Sequence, residues 1–260
     1  MELKNLLFEE REAIGIVTIN RPEKLNALNK EVLFELKKVL EKVRSEDKIK
    51  VLIITGSGEK AFAAGADIHE IAALGLSNAF AFSKDAQEVA NAIENLGKPV
   101  IAGINGLALG GGFELAMACT LRLVSENAKM GLPELGLGAI PGIGGTQRLP
   151  RLIGKGRALW YLLTGELIDA STAERIGLAN KAVPPGKLME ACLDVAKTLL
   201  NKGPLAMHLA MQAVHHGMEV GQEEGMTLES ALMTIACASE DKAEGIQAFL
   251  EKRKPTFKGR

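Results

Sequence analysis

Two glutamates and a run of glycines are the residues here best suited to chemistry. Gly110, Gly111 and Gly112 follow a strand-like run and precede Phe113-Glu114-Leu115-Ala116-Met117-Ala118, whose composition favours a helix. Glycine lets the backbone turn tightly and lets a ligand come close to the main chain. A helix starting here aims its first free N–H groups, and the positive end of its dipole, at whatever lies over the glycines. Such a place holds negative charge, including charge that exists only in a transition state. Glu114 falls in the first turn, and Glu134 follows twenty residues later, after a Leu-Pro step. The residues alone also admit a plainer reading, a tight strand-to-helix turn with two solvated carboxylates.

The rest of the chain limits what these groups could serve. Its 260 residues suit one large domain, or a core domain with a C-terminal appendage, and 47% hydrophobic content with 28 glycines suits an α/β chain rich in tight turns. Thirty-one basic against 32 acidic side chains leave a net charge of −1, so no broad electrostatic footprint for nucleic acid or an anionic membrane follows. No apolar run has membrane-spanning length, and the opening MELKNLLFEERE does not look like a secretory signal. Cys119, Cys192 and Cys237 are odd in number, widely spaced and set among apolar residues. They read as buried free thiols of a reducing compartment, and a soluble cytoplasmic protein is expected.

Periodicity supplies the elements that must position the glutamates. Ala13 to Ile19 is β-branched and strand-like, expected to pair with Leu6-Leu7-Phe8 through a polar turn at Glu9 to Glu12. Asn29 can cap a helix running to about Arg44, with Val32, Leu33, Leu36, Val39, Leu40 and Val43 as its apolar stripe. Val51 to Gly56 and Pro99 to Ile104 read as strands buried on both faces, and Leu121 to Val124 as another strand. A helix is expected from about Asn78 to Leu96. From Gly154 onward only helices are expected, over about 155–164, 170–176, 187–202, 204–218, 222–237 and 240–252. Pro184-Pro185 marks the expected boundary between an α/β core over 1–185 and a helical region over 186–260.

Several familiar motifs are excluded. Leu115 and Gln147 stand where the last glycine of a dinucleotide fingerprint would fall. Gly154-Lys155 lacks the upstream glycine of a phosphate-binding loop. His69, His208, His215 and His216 form no metal-ligand spacing, so no metal is expected.

Four separated stretches, AFAAGADI, NGLALGGGFELA, LPELGLGAIPGIGGTQRLPRLIG and the terminal AFLEKRKPTFKGR, together resemble the enoyl-CoA hydratase/isomerase (crotonase) superfamily, in the right order across essentially the whole chain. The resemblance implies an α/β crotonase-like spiral of repeated ββα units, followed by a C-terminal helical trimerisation region. It also implies assembly as a homotrimer, or as a hexamer of two trimers. The substrate would be an acyl-CoA thioester, with no separate cofactor because CoA belongs to the substrate.

The site residues are carried over on the same basis. The backbone N–H groups of Ala66 and Gly111 would form the oxyanion hole for the thioester carbonyl. Ala66, Asp67, Ile68 and His69 would lie along the CoA thioester, with His69 where the family often has lysine, so that phosphate binding by its side chain is not implied. Ala27 would pack on the adenine-pantetheine portion. Glu114 would act as the base toward water and Glu134 as the acid toward C2. Gly142 would bring an amide near the water or Glu134. Phe249 and Lys252 match positions near the adenine, on a neighbouring subunit.

Having both glutamates favours a hydratase, which adds water across the C2–C3 bond of a trans-2-enoyl-CoA. A Δ3-Δ2-enoyl-CoA isomerase is the alternative, since many family isomerases keep only the second carboxylate. RNA binding through Lys37, Lys38, Lys42 and Lys48 is a reading of a different class. Glu35, Glu41, Glu46 and Asp47 are interleaved with these lysines, as on a solvated helix face, and no nucleic-acid partner is expected. Phe80, Phe82, Phe113, Trp160 and Leu163 are candidates to line the acyl pocket.

Overall fold

The computed structural model describes residues 2–260. In chain order the elements are β1 (Leu6–Arg11), β2 (Ile14–Ile19), α1 (Lys30–Ser45), β3 (Val51–Gly56), β4 (Ala61–Ala64), α2 (Ile68–Ala72), α3 (Ala79–Glu94), β5 (Val100–Ile104), β6 (Leu107–Leu109), α4 (Gly111–Ala118), β7 (Leu121–Ser125) and β8 (Lys129–Gly131). A 3-10 turn at Pro133–Leu137 leads to α5 (Gly145–Ile153), α6 (Lys155–Thr164), β9 (Ile168–Asp169), α7 (Ala170–Arg175) and β10 (Lys181–Val183). Four helices end the chain: α8 (Leu188–Leu200), α9 (Pro204–Gly217), α10 (Gln222–Cys237) and α11 (Glu240–Leu250).

The strands sort into two sheets by a simple alternation. β3, β5 and β7 enter a six-stranded sheet ordered β1-β2-β3-β5-β7-β10, while β4, β6 and β8 enter a four-stranded sheet ordered β4-β6-β8-β9. β3–β4, β5–β6 and β7–β8 are each followed by helix, so the chain climbs as a spiral of three ββα turns, as the resemblance implies. β2, β3, β5, β7 and β10 pair in parallel, and β1 joins as an antiparallel edge. The apolar run of β3 is explained by burial on both faces. Leu52 and Ile54 face the larger core with α1, α3 and α4, whereas Val51 and Ile53 face a second core closed by α8.

Most expected elements form close to their expected bounds, with several differences. β1 extends to Arg11, so the hairpin turn is confined to Glu12 and Ala13, with Glu12 at φ +54. β9 and β10 interrupt the region expected to be all helix; runs of two and three residues show no periodicity to read. α8 follows the expected boundary at 185 yet covers the large sheet through Leu188, Cys192 and Ala196. Cys237 is exposed rather than buried, because α10 buries none of its residues within the chain. Phe113 is fully buried in the core and lines no open surface.

Beyond Leu200 the helices leave apolar side chains uncovered. Val214, Met226, Met233, Ile235, Ile246, Phe249 and Leu250 are all exposed. Among the described residues no helix is long and apolar enough to cross a membrane.

Candidate active site

The small sheet sets two backbone amides side by side. β4 pairs in parallel with β6 so that Ala64 stands opposite Leu109, and Ala66 and Gly111 each follow two residues later. Gly65 at φ +92 and Gly110 at φ +46 turn the two chains out of the sheet in conformations that favour glycine. On the Ala66 side, the neighbouring amides are used: Ala64 N–H donates to Leu25 O at 3.0 Å and Asp67 N–H to Leu28 O at 2.7 Å. Among the described residues, Ala66 N–H and Gly111 N–H have no acceptor. The two backbones are close, since a Cβ built on Gly111 would lie 3.7 Å from Ala66 N. Two free donors beside the start of a helix form an anion-binding pair.

Gly112 explains how α4 seats so tightly. A Cβ there would lie 2.0 Å from Ala63 O, so only glycine lets the helix rest on β4. All eight residues of α4 are buried, Glu114 among them at 1% exposure. Its Oε1 accepts N–H bonds from Ile143 at 2.8 Å and Gly145 at 2.7 Å. Burial pushes the Glu114 carboxyl up to about 7 and the charge of Glu134 adds to the rise, while the two amides and Arg148 pull it down. Near neutral pH this group can both take up and release a proton.

Glu134 is the second residue of the 3-10 turn that follows β8, whose Gly131 pairs with Leu109 of β6. β4, β6 and β8 thus end together, and the second carboxylate emerges beside the amide pair. A Cβ on Gly110 would lie 2.9 Å from Glu134 Oε1, and Gly65 Cα is on the same side. Glu134 Oε2 is buried and has no hydrogen-bond partner among the described residues. Burial raises its affinity for a proton, and an unpartnered buried oxygen favours the neutral acid further. The two glutamates therefore differ in kind. Glu114 Oε1 accepts two N–H bonds in full burial, whereas Glu134 Oε2 is left without a donor, and burial raises both carboxyls.

The other expected residues fall into three groups. Ala27 and Asp67 are tied together by Arg21, whose Nη1 donates to Ala27 O at 2.5 Å while its Nη2 pairs with the Asp67 carboxylate at 3.2 Å. Asp67 also caps α2 by accepting from His69 N–H, and these donors hold its carboxyl below the usual range. Ile68 and His69 are exposed on the first turn of α2, beside Ala66. Gly142 N–H has no described acceptor, and the loop amides that do reach a carboxylate are those of Ile143 and Gly145, on Glu114. Phe249 and Lys252 lie exposed at the end of α11, with Lys252 at φ +56. Arg21, Ile143 and Gly145 were not singled out from sequence. Main-chain donors leave no trace in residue type, and Arg21 reads as an ordinary loop residue.

A sequence description of the enoyl-CoA hydratase/isomerase family matches residues 9–260. The chain belongs to that family. Among its relatives, the crotonyl-CoA hydratase of Syntrophomonas wolfei is 46% identical over 257 residues, covering 99% of each chain. The short-chain-enoyl-CoA hydratase of Clostridium acetobutylicum is 42% identical over 254 residues, covering 98% of this chain and 97% of the relative. Among solved structures, an enoyl-CoA hydratase from Bacillus anthracis superposes with a TM-score of 0.96 at 39% identity, covering 99% of this chain and all of the other. Family membership thus agrees with the ββα spiral and with the resemblance carried by the glycine and glutamate motifs.

Proposed function

We propose that the protein is an enoyl-CoA hydratase, a hydro-lyase that adds water reversibly across the C2–C3 double bond of a trans-2-enoyl-CoA. Ala66 N–H and Gly111 N–H hold the thioester oxygen and take up the negative charge that the attack moves onto it. Glu114 accepts a proton from water as the water oxygen bonds to C3, and Glu134 gives its proton to C2. The product is the 3-hydroxyacyl-CoA, and the two carboxyls have exchanged protonation states. CoA arrives with the substrate, and the reading calls for no resident cofactor. Short acyl chains are proposed because the two curated relatives above carry crotonyl-CoA and short-chain-enoyl-CoA in their names.

The observation that most supports this reading is the meeting of unlike carboxyls with two free amides around a single turn, Gly110 to Glu114. A hydratase needs one ionised and one protonated carboxyl at the same moment, and two neighbouring buried carboxyls titrate apart from one another. The test is hydration of crotonyl-CoA, followed by loss of the conjugated-thioester absorbance, beside isomerisation of a 3-enoyl-CoA. Glu114→Gln and Glu134→Gln are each expected to lower kcat roughly 10²- to 10⁴-fold with little change in KM. Near-normal turnover in either variant removes that residue from the chemistry. Isomerisation without hydration overturns the reading in favour of an isomerase.

We further propose a homo-oligomer, in which the apolar faces of α9, α10 and α11 are covered by other copies and Phe249 and Lys252 reach a neighbour's CoA. Exposed apolar surface on three consecutive helices supports this, since such surface is costly to leave in water.

A further inference from the structure

The loop from Gly142 to Gly145 offers two N–H groups to Glu114, and the carbonyls of Gly142, Ile143 and Gly144 accept hydrogen bonds from α3 and α5. Gly142 O accepts from Ser83 Oγ at 2.6 Å and from Gln87 Nε2 at 3.0 Å. Ile143 O accepts from Arg148 Nη1 at 3.0 Å. Gly144 O accepts from the N–H groups of Gln147 and Arg148, at 3.0 and 2.8 Å, as α5 begins. In a trans peptide the C=O and the next N–H point in opposite directions. Fixing Gly142 O toward α3 therefore aims Ile143 N–H toward Glu114, and fixing Gly144 O in α5 does the same for Gly145 N–H. The second of these is set by helix formation alone. The first depends on side chains from another element.

Those side chains form a ridge. Ser83, Gln87, Asn91 and Glu94 recur at helical spacing along one face of α3, whose other side buries Ala86, Val89, Ala90 and Ile93. Gln87 Nε2 also donates to Ser83 Oγ at 3.1 Å, which locks the pair together. Farther along, Arg148 bonds Asn91 Oδ1 at 2.8 Å and Glu94 Oε2 at 2.7 Å. Four polar side chains of one helix thus grip one loop and the first turn of α5. Such a ridge is more than burial of α3 requires.

We infer that Ser83 and Gln87 are positioning residues for the reaction, acting through the Gly142–Ile143 peptide to keep one N–H donor on Glu114, with Arg148 bracing the adjoining peptide against α3. The inference rests on the reading of Glu114 as the base. Neither Ser83 nor Gln87 is hydrogen-bonded to Glu114, and neither carries charge. Replacing them changes the orientation of a donor without changing the field. The charged groups that face Glu114 are Glu134 from the 3-10 turn and Arg148 from α5, the latter backed by Glu94 of α3; β4 and β6 contribute no titratable side chain.

The sign of the effect follows. An N–H donor favours the carboxylate, so a misdirected donor leaves Glu114 holding its proton to higher pH. The base works only when ionised, so the acid limb of kcat against pH moves upward. The test compares the parent with the Ser83→Ala/Gln87→Leu double variant on crotonyl-CoA. The expected result is an acid limb displaced upward by about half a pH unit or more. A kcat at neutral pH lower by roughly 10- to 100-fold and a nearly unchanged KM are expected with it. Carbon-13 NMR titration of the glutamate carboxyls, with Glu114→Gln to assign the signal, should show the same upward displacement without relying on turnover. If the double variant does not fold, Ser83→Ala and Gln87→Leu are read singly, each expected to move the limb and the carboxyl signal in the same direction by less. A folded variant whose limb and Glu114 signal stay in place overturns the proposal, even if its thermal stability falls. Failure of the underlying reading looks different: Glu114→Gln would then keep its turnover, whatever Ser83 and Gln87 do.

Discussion

Gly110 leaves the space that Glu134 occupies at the mouth of α4: a Cβ added to the glycine would stand 2.9 Å from Oε1 of the glutamate. The same glycine holds φ +46, which lets β6 turn abruptly into the helix. One small residue thus serves the turn and leaves room for a carboxyl. Gly110→Ala should be harmful twice over. The positive-φ backbone, at ψ −126, costs an L residue roughly 1–3 kcal/mol, and the new methyl displaces Glu134 from its seat. The expected outcome is a lower melting temperature together with a loss of kcat that exceeds the loss of substrate affinity. Unaltered steady-state kinetics in a folded Gly110→Ala protein would show that the seat of Glu134 is not critical.

Burial of Glu114 has a consequence for stability that is separable from activity. Its carboxyl is raised from the usual 4.5 to about 7 in the folded chain, chiefly by burial. The folded state therefore binds this proton more tightly than the unfolded state. Stability contributed by the protonated form is fully present below the unfolded value, about 4.5, and is lost as pH rises through about 7. The loss by pH 8 should be roughly 3 kcal/mol. Glu114→Gln cannot ionise and keeps an oxygen for the Ile143 and Gly145 amides. Compared with the parent, it should gain stability steadily between pH 5 and pH 8 while losing hydration. Denaturant unfolding of both proteins across that range checks it, and parallel pH profiles would refute it.

How much of this was legible beforehand depends on the length of the signal. The long stripes of α1 and α3 and the all-apolar run of β3 could be read from periodicity alone. The small sheet could not, because β4, β6, β8 and β9 have two to four residues each. Yet those strands align Ala64 with Leu109 and Leu109 with Gly131, and so bring Ala66, Gly111 and Glu134 to one place. Motif resemblance supplied the residues, and only strand register supplies the reason they meet. The bonds from Ile143 and Gly145 to Glu114 were beyond reach for another reason. They depend on which way a peptide faces, and residue type does not encode that. Ser83 and Gln87 did stand in the sequence at helical spacing, but a polar pair on a helix reads first as a solvated face.

The exposed helices at the end of the chain carry the next prediction. α10 buries nothing within the chain, and Met226, Met233 and Ile235 stand in solvent on it. If other copies cover this face, Met233→Glu and Ile235→Glu place charges in an apolar contact and should shift sedimentation toward a smaller species. Hydration should weaken with dissociation through a rise in KM if Phe249 and Lys252 serve a neighbour's CoA. A parent protein that sediments as a fully active monomer would sink both parts of this idea.

The proposed oxyanion pair is the hardest feature to test, because its donors belong to the main chain. Gly111 offers an opening. It is the first residue of α4, the position where proline is best tolerated, since an N–H there has no helical acceptor to lose. Gly111→Pro therefore removes the one donor of interest while asking little of the helix. The nearest side chain to a Cβ at this position is the Ile143 δ-methyl, at 3.0 Å, a flexible end that can shift. Circular dichroism and sedimentation should confirm that the variant folds and assembles like its parent. Removing one such donor typically raises the barrier by roughly 3–4 kcal/mol, so kcat should fall about 10²- to 10³-fold. The fall should be the same for every acyl-CoA tried, because all share the carbonyl that the pair holds. Bound enoyl thioester should also show a smaller shift of its absorbance, since two donors polarise the conjugated carbonyl and only Ala66 N–H would remain. A folded Gly111→Pro protein that polarises and hydrates crotonyl-CoA normally would mean that the thioester oxygen is held elsewhere.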